Sequence, residues 1–176
     1  MTLIFPLFTI LILLAIFIQD LRSKAVYWWW FPLLAGLFTS GAYFVHHKSL
    51  SELGRSASID LLFIGSQLLL LSLYFSLKQR QWVNICKELL GWGDVLFLLS
   101  LTFYLSLLNY LFFYIVSLII VSVFWMVLKI LSKKKYQYIP LAGLQAVILI
   151  VFLIIELLDG RIDLTNDNLL LRYLYR

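Results

Sequence analysis

Two aspartates in this chain have the type and setting to do chemistry. Asp94 ends the stretch Gly91-Trp92-Gly93-Asp94, at the mouth of a run from Val95 to Leu131 that holds no other acid. Asp20 closes the first apolar run. A pair of carboxylates that share one proton can split a peptide bond. The ionised acid takes a proton from water while the protonated acid assists the carbonyl oxygen. Gly91 and Gly93 remove side-chain bulk beside Asp94 and allow backbone shapes closed to other residues, so a partner can approach the carboxylate. A plainer reading of the same four residues is an aspartate that N-caps a membrane helix after a glycine turn. Both readings stand on the sequence alone.

The elements that must position these acids follow from composition. Of 176 residues, 63% are hydrophobic and 13% charged, with a mean hydropathy of +0.98. A soluble domain has about 45–50% apolar and about 25% charged residues, so the chain reads as an integral membrane protein. Six apolar stretches approach the roughly 20 residues a membrane helix needs. They are Leu3 to Gln19, Tyr27 to Val45, Ile59 to Leu77, Gly93 to Leu108, Tyr110 to Leu131 and Tyr138 to Leu158. They are apolar on all sides and lack the two-residue alternation of barrel strands. The expected fold is therefore all-α: a polytopic protein of six transmembrane helices forming one membrane-embedded domain, residues 1–176. Between Lys78 and Leu90, Trp82, Ile85, Cys86 and Leu89 recur at helical spacing with polar residues on the other faces. This predicts a short amphipathic helix on the membrane surface, just before the fourth span.

Charge fixes an orientation. Nine basic residues (Arg22, Lys24, Lys78, Arg80, Lys87, Lys129, Lys133, Lys134, Lys135) fall on one side and five (Lys48, Arg55, Arg161, Arg172, Arg176) on the other. The richer side should be cytoplasmic, which puts the amphipathic helix, Asp20 and Asp94 at the cytoplasmic face. The basic residues lie in short connections, so the net charge of +5 does not imply nucleic acid. One cysteine, Cys86, excludes an internal disulfide and a cysteine-based zinc site. The opening residues lack a basic region and a small-residue cleavage pattern, so a retained first helix is expected rather than a cleaved signal peptide.

Other polar residues read as structural. Trp28, Trp29 and Trp30 suit an interfacial belt. His46 and His47 read as solvated residues of an outer loop reaching to Ser58, with no acid at ligand spacing, so no metal is expected. Asp60 reads as a first-turn acid of the third span, favoured by the helix dipole. Gln67 and Gln145 lie deep in spans and read as hydrogen-bonding glue between helices. Glu156 reads as reaching interfacial water at the outer end of the last span.

Leu90-Gly91-Trp92-Gly93-Asp94-Val95 resembles the GxGD motif of the type IV prepilin peptidases, a family of membrane aspartic peptidases. Asp20-Leu21-Arg22 is similar to that family's first catalytic aspartate and following arginine, and Ile139-Pro140 to its C-terminal Ile-Pro signal. The resemblance covers nearly the whole chain, in a short form without the N-terminal CxxC domain. It implies that Asp20 and Asp94 are catalytic, that Gly91 and Gly93 shape the motif backbone, and that Arg22, Ile139 and Pro140 support substrate or structure. It implies an aspartic endopeptidase of the inner (cytoplasmic) membrane that removes short basic leader peptides from prepilins or pseudopilins. Such an enzyme needs neither metal nor cofactor, and methyl transfer to the new N-terminus is not expected. Leu96 stands where many members carry lysine, and the Ile-Pro-Asp/Asn that usually follows the first aspartate is missing. A catalytically inactive homologue, or a non-enzymatic scaffold or transporter subunit, is the competing class.

Overall fold

The computed structural model describes residues 4–23, 25–80, 91–131, 140–159, 162–168 and 170–171. Among the described residues six α-helices follow in order: α1 (Ile4–Ser23), α2 (Trp30–Phe44), α3 (Leu50–Gln79), α4 (Trp92–Leu101), α5 (Leu107–Leu131) and α6 (Leu141–Leu158). No strand occurs among the described residues. The amphipathic helix expected before the fourth span falls at residues 81–90, outside the described residues, as does Ile139.

All three prolines fall where a helix tolerates them. Pro6 and Pro32 lie within the first three described residues of α1 and α2, and Pro140 is the N-cap of α6. The first-turn N–H groups of a helix have no partner within it, so a missing one costs nothing there.

Four helices (α1, α3, α5 and α6) are long and apolar enough to cross a membrane, which makes this a multi-pass membrane protein. The other two are shorter, α2 with 15 residues and α4 with 10. The hydroxyls of Ser100 and Thr102 at the end of α4 donate to the carbonyls of Phe97 and Leu99, three residues back. That bonding draws on carbonyls the next helical turn would need. The chain then turns through buried Thr102, Tyr104 and Leu105.

α3 departs from the expected third span by starting nine residues earlier, at Leu50. Ser49 Oγ accepts the Glu52 N–H, and the Glu52 carboxylate accepts the Ser49 N–H. This capping box satisfies two first-turn donors. Asp60 is consequently the eleventh residue of α3, not a first-turn acid. It is fully buried, and neither carboxylate oxygen has a hydrogen-bond partner among the described residues.

Successive helices run in alternate directions, as the contacts between their ends require, and α6, the most buried of the four long helices, packs against α1, α4 and α5. Its buried positions include Ala142, Gly143, Gln145, Ala146, Leu149 and Leu153. Three of these are small, so α1 can lie close against it, and α1 is its most extensive neighbour. The buried stripe of α1 runs Thr9, Ile12, Leu13, Ile16, Asp20 at helical spacing. Gln67 Nε2 donates to Tyr114 Oη, joining α3 to α5, and Gln145 Nε2 donates to Ser117 Oγ, joining α6 to α5. Both glutamines are the interhelical glue expected of them. Trp28 and Trp29 remain exposed, as an interfacial belt requires.

Candidate active site

Asp20 is the last residue of the buried stripe on α1, so its carboxylate points into the bundle rather than to lipid. Its Oδ2 accepts the backbone N–H of Gly143 at 2.7 Å. On α4, Asp94 Oδ1 accepts the N–H of Ala142 at 2.8 Å. The two acids therefore bind consecutive amides in the first turn of α6, downstream of Pro140. Those amides are among the donors a helix cannot satisfy internally, and the positive end of its dipole favours negative charge. The site thus has three walls: the end of α1, the start of α4 and the start of α6.

Asp94 is not the N-cap of its own helix. Gly91 occupies that position, and Asp94, at the third position, turns back so that Oδ2 accepts the Gly91 N–H at 3.2 Å. The described glycines, Gly91 and Gly93 included, all have negative φ, so the expected special backbone freedom is not used. Space is what matters. A Cβ on Gly91 would stand 3.2 Å from Asp94 Oδ2, whereas one on Gly93 would meet Phe31 and Val26 at an ordinary 3.9 Å. The tightest position is one the sequence reading missed. A Cβ on Gly143 would lie 3.0 Å from both Cβ and Oδ2 of Asp20. Ala142 and Gly143 lie two and three residues beyond Pro140, so the Ile-Pro pair pointed to the right helix turn but not to the amides that matter.

Arg22 lies at the exposed end of α1 and pairs with neither aspartate. Three of the four carboxylate oxygens accept backbone N–H groups. Asp20 Oδ1 has no such bond among the described residues.

A second cluster forms at the opposite end of α6. His46, just past α2, places Nδ1 3.2 Å from Asp163 Oδ1 and Nε2 3.9 Å from Glu156 Oε1. Tyr104 Oη donates to Glu156 Oε2 at 2.7 Å, and the Leu164 N–H donates to Oε1 at 2.8 Å. These contacts overturn the expectation that His46 is a solvated loop residue without an acidic partner and that Glu156 reaches interfacial water. The partners come from the segment after α6, which sequence spacing could not bring to residue 46. Burial opposes the His46 imidazolium, but the hydrogen bond and charge of Asp163, helped by Glu156, outweigh it and raise its pKa above the usual histidine value. Burial likewise opposes the Asp163 carboxylate, yet hydrogen bonds from His46 and Thr165 bring its pKa down to about 2.

Fold and site together define an all-helical, multi-pass membrane protein with two carboxylates converging on one helix N-terminus. Comparison with family models, with curated proteins and with solved structures finds no match.

Proposed function

We propose that this chain is a membrane aspartic endopeptidase of the prepilin-peptidase type, with Asp20 and Asp94 as its water-activating pair. The observation that carries this reading is the meeting of two acids from α1 and α4 on the consecutive amides of Ala142 and Gly143. One shared proton lets one carboxylate act as base toward water while the other donates to the substrate carbonyl. The α6 amides hold both side chains in place and compensate part of their charge. The substrate is a prepilin or pseudopilin whose own apolar helix lies in the bilayer, so its scissile bond reaches the membrane boundary where the pair lies.

All six helices traverse the inner membrane in this reading, α2 and α4 as short passes, with the Asp20 and Asp94 face cytoplasmic. The alternating helix directions and the bias of basic residues support that arrangement. Reporter fusions at Ser23, Gln81 and Lys134 should read cytoplasmic, and an opposite reading at Gln81 ends the proposal.

One observation favours a non-enzymatic scaffold instead: three of the four carboxylate oxygens already cap backbone amides. Asparagine separates the two roles, because its side-chain oxygen still accepts an amide but cannot exchange a proton as an acid does. The chain is co-expressed with a prepilin in a host without its own prepilin peptidase. Wild type should remove the leader, while Asp20→Asn and Asp94→Asn, folded at wild-type levels, should not. Leader removal by either folded variant, or none by wild type across a panel of prepilins, refutes the peptidase reading and leaves helix capping as the role of the pair.

A further inference from the structure

His46, Glu156 and Asp163 converge from three separate segments: the turn after α2, the last turns of α6, and the segment that follows α6. One ligand atom from each lies within 4.8 Å of the other two. One imidazole nitrogen and two carboxylate oxygens form a recognised donor set for zinc and related divalent ions, leaving a fourth position for water.

Charge makes the same point. Glu156 and Asp163 bring two negative charges into a partly buried site, and no lysine or arginine pairs with either among the described residues. A protonated His46 balances only one of them. A divalent ion with neutral imidazole balances both, and the cost of unbalanced charge falls on Glu156, whose side chain is 9% exposed, more than on Asp163 at 41%.

The ligands are also held from behind, as metal ligands ordinarily are. Tyr104 Oη and the Leu164 N–H fix the two oxygens of Glu156. The Thr165 N–H and Oγ1 hold Asp163 Oδ1 at 2.9 and 2.6 Å. A narrow cleft lined by Gly41, Val45, Phe38 and Leu153 runs alongside His46 and Tyr104.

We propose that His46, Glu156 and Asp163 bind one divalent transition-metal ion, with zinc suiting the donor set, at the face of the bundle opposite Asp20 and Asp94. Tyr104 is a positioning residue that orients Glu156. The ion ties the segment after α6 to the ends of α2 and α6. The site is independent of the peptidase reading and does not enter the proposed chemistry.

The test uses the full chain in detergent, stripped with chelator and titrated with Zn2+ alone and with Co2+ alone. Wild type should take up one equivalent of Zn2+ and unfold at higher temperature with it. Co2+ should give the visible bands of a low-coordinate nitrogen–oxygen site. His46→Ala, Glu156→Gln and Asp163→Asn should each abolish the bands, and Tyr104→Phe should weaken affinity by about 10–100-fold. The Asp20→Asn/Asp94→Asn double variant should bind as wild type does. Absence of uptake by wild type overturns the proposal, as does a Co2+ spectrum of the aquated ion, which requires no variant to fold. Uptake that survives in folded Glu156→Gln and Asp163→Asn, or that disappears in the Asp20/Asp94 variant, overturns it equally.

Discussion

Asp20 Oδ2 and the backbone nitrogen of Gly143 are 2.7 Å apart although 123 residues separate them in sequence. The contact exists because neither residue leaves room for anything else: Gly143 has no side chain, and Asp20 fills that space. Gly143→Ala should therefore be the most damaging substitution among the described glycines. Its methyl group meets the Cβ of Asp20, which is anchored to α1, so a helix must move. Overpacking of this kind costs about 1–3 kcal/mol. Gly91→Ala should be milder, because the Asp94 carboxylate it meets at 3.2 Å can swing. Gly93→Ala should be near neutral. Thermal unfolding measured on the three variants should give this order, and the proposed leader cleavage should follow it; a Gly143→Ala protein as stable as Gly93→Ala contradicts the geometry.

Asp60 is a buried acid that the proposed chemistry does not use. Both of its oxygens lack hydrogen-bond partners among the described residues, and the side chain is fully buried in α3. A polar group left in that state costs about 1–3 kcal/mol, so Asp60→Leu should raise the unfolding temperature and leave cleavage unchanged. A fall in stability would show that Asp60 has a partner, such as an internal water, that the leucine displaces.

Asn109 clasps the segment after α6. Its Nδ2 donates to Ser106 Oγ and to the carbonyls of Leu164 and Asn166 at 2.9–3.0 Å. Asn109→Ala takes the donor from the Asn166 carbonyl at a cost of about 1–3 kcal/mol, while the Leu164 carbonyl keeps the Ser106 N–H at 3.1 Å. Limited proteolysis should then cut the segment around residues 162–168 earlier than in wild type. The proposed leader cleavage, at the other end of the bundle, should persist. Unchanged protease resistance would show that packing of Leu164, not the clasp, holds the segment.

The His46–Asp163 pair gives a pH signature in metal-free protein. His46 is raised in the folded state, so its contribution is full below the unfolded histidine value of about 6.5 and is lost as pH rises through the higher folded value. Asp163 is lowered to about 2, so its contribution is present above the unfolded carboxylate value of about 3.9 and is lost as pH falls toward about 2. Both contributions are present together between about pH 4 and about 6.5. The groups facing His46 are Asp163, Glu156, Lys48 and Tyr104, and only Lys48 opposes its protonation. With chelator present, the stability difference between wild type and His46→Ala should be largest in that window and shrink at alkaline pH. A difference independent of pH excludes the ion pair.

The sequence by itself determined the helices and the placement of the first acid. Apolar length and composition called for membrane helices, and the stripe Thr9, Ile12, Leu13, Ile16, Asp20 was already written at helical spacing, which aims Asp20 inward. The Ser49–Glu52 capping box is equally legible, although apolar length alone starts the third span at Ile59. These features are local, because propensity, periodicity and capping act within a few residues of one segment. Tertiary structure alone decided what the acids face. The steric demand on Gly143 comes from Asp20 on another helix. The recasting of Asp94 from an N-cap to a bridge between Gly91 and Ala142 depends on where α6 begins in space. His46 meets Asp163 and Glu156 only because α2 and α6 end at the same side of the bundle. A side chain's partner across helices is set by packing, and packing leaves no mark at a fixed spacing in the chain.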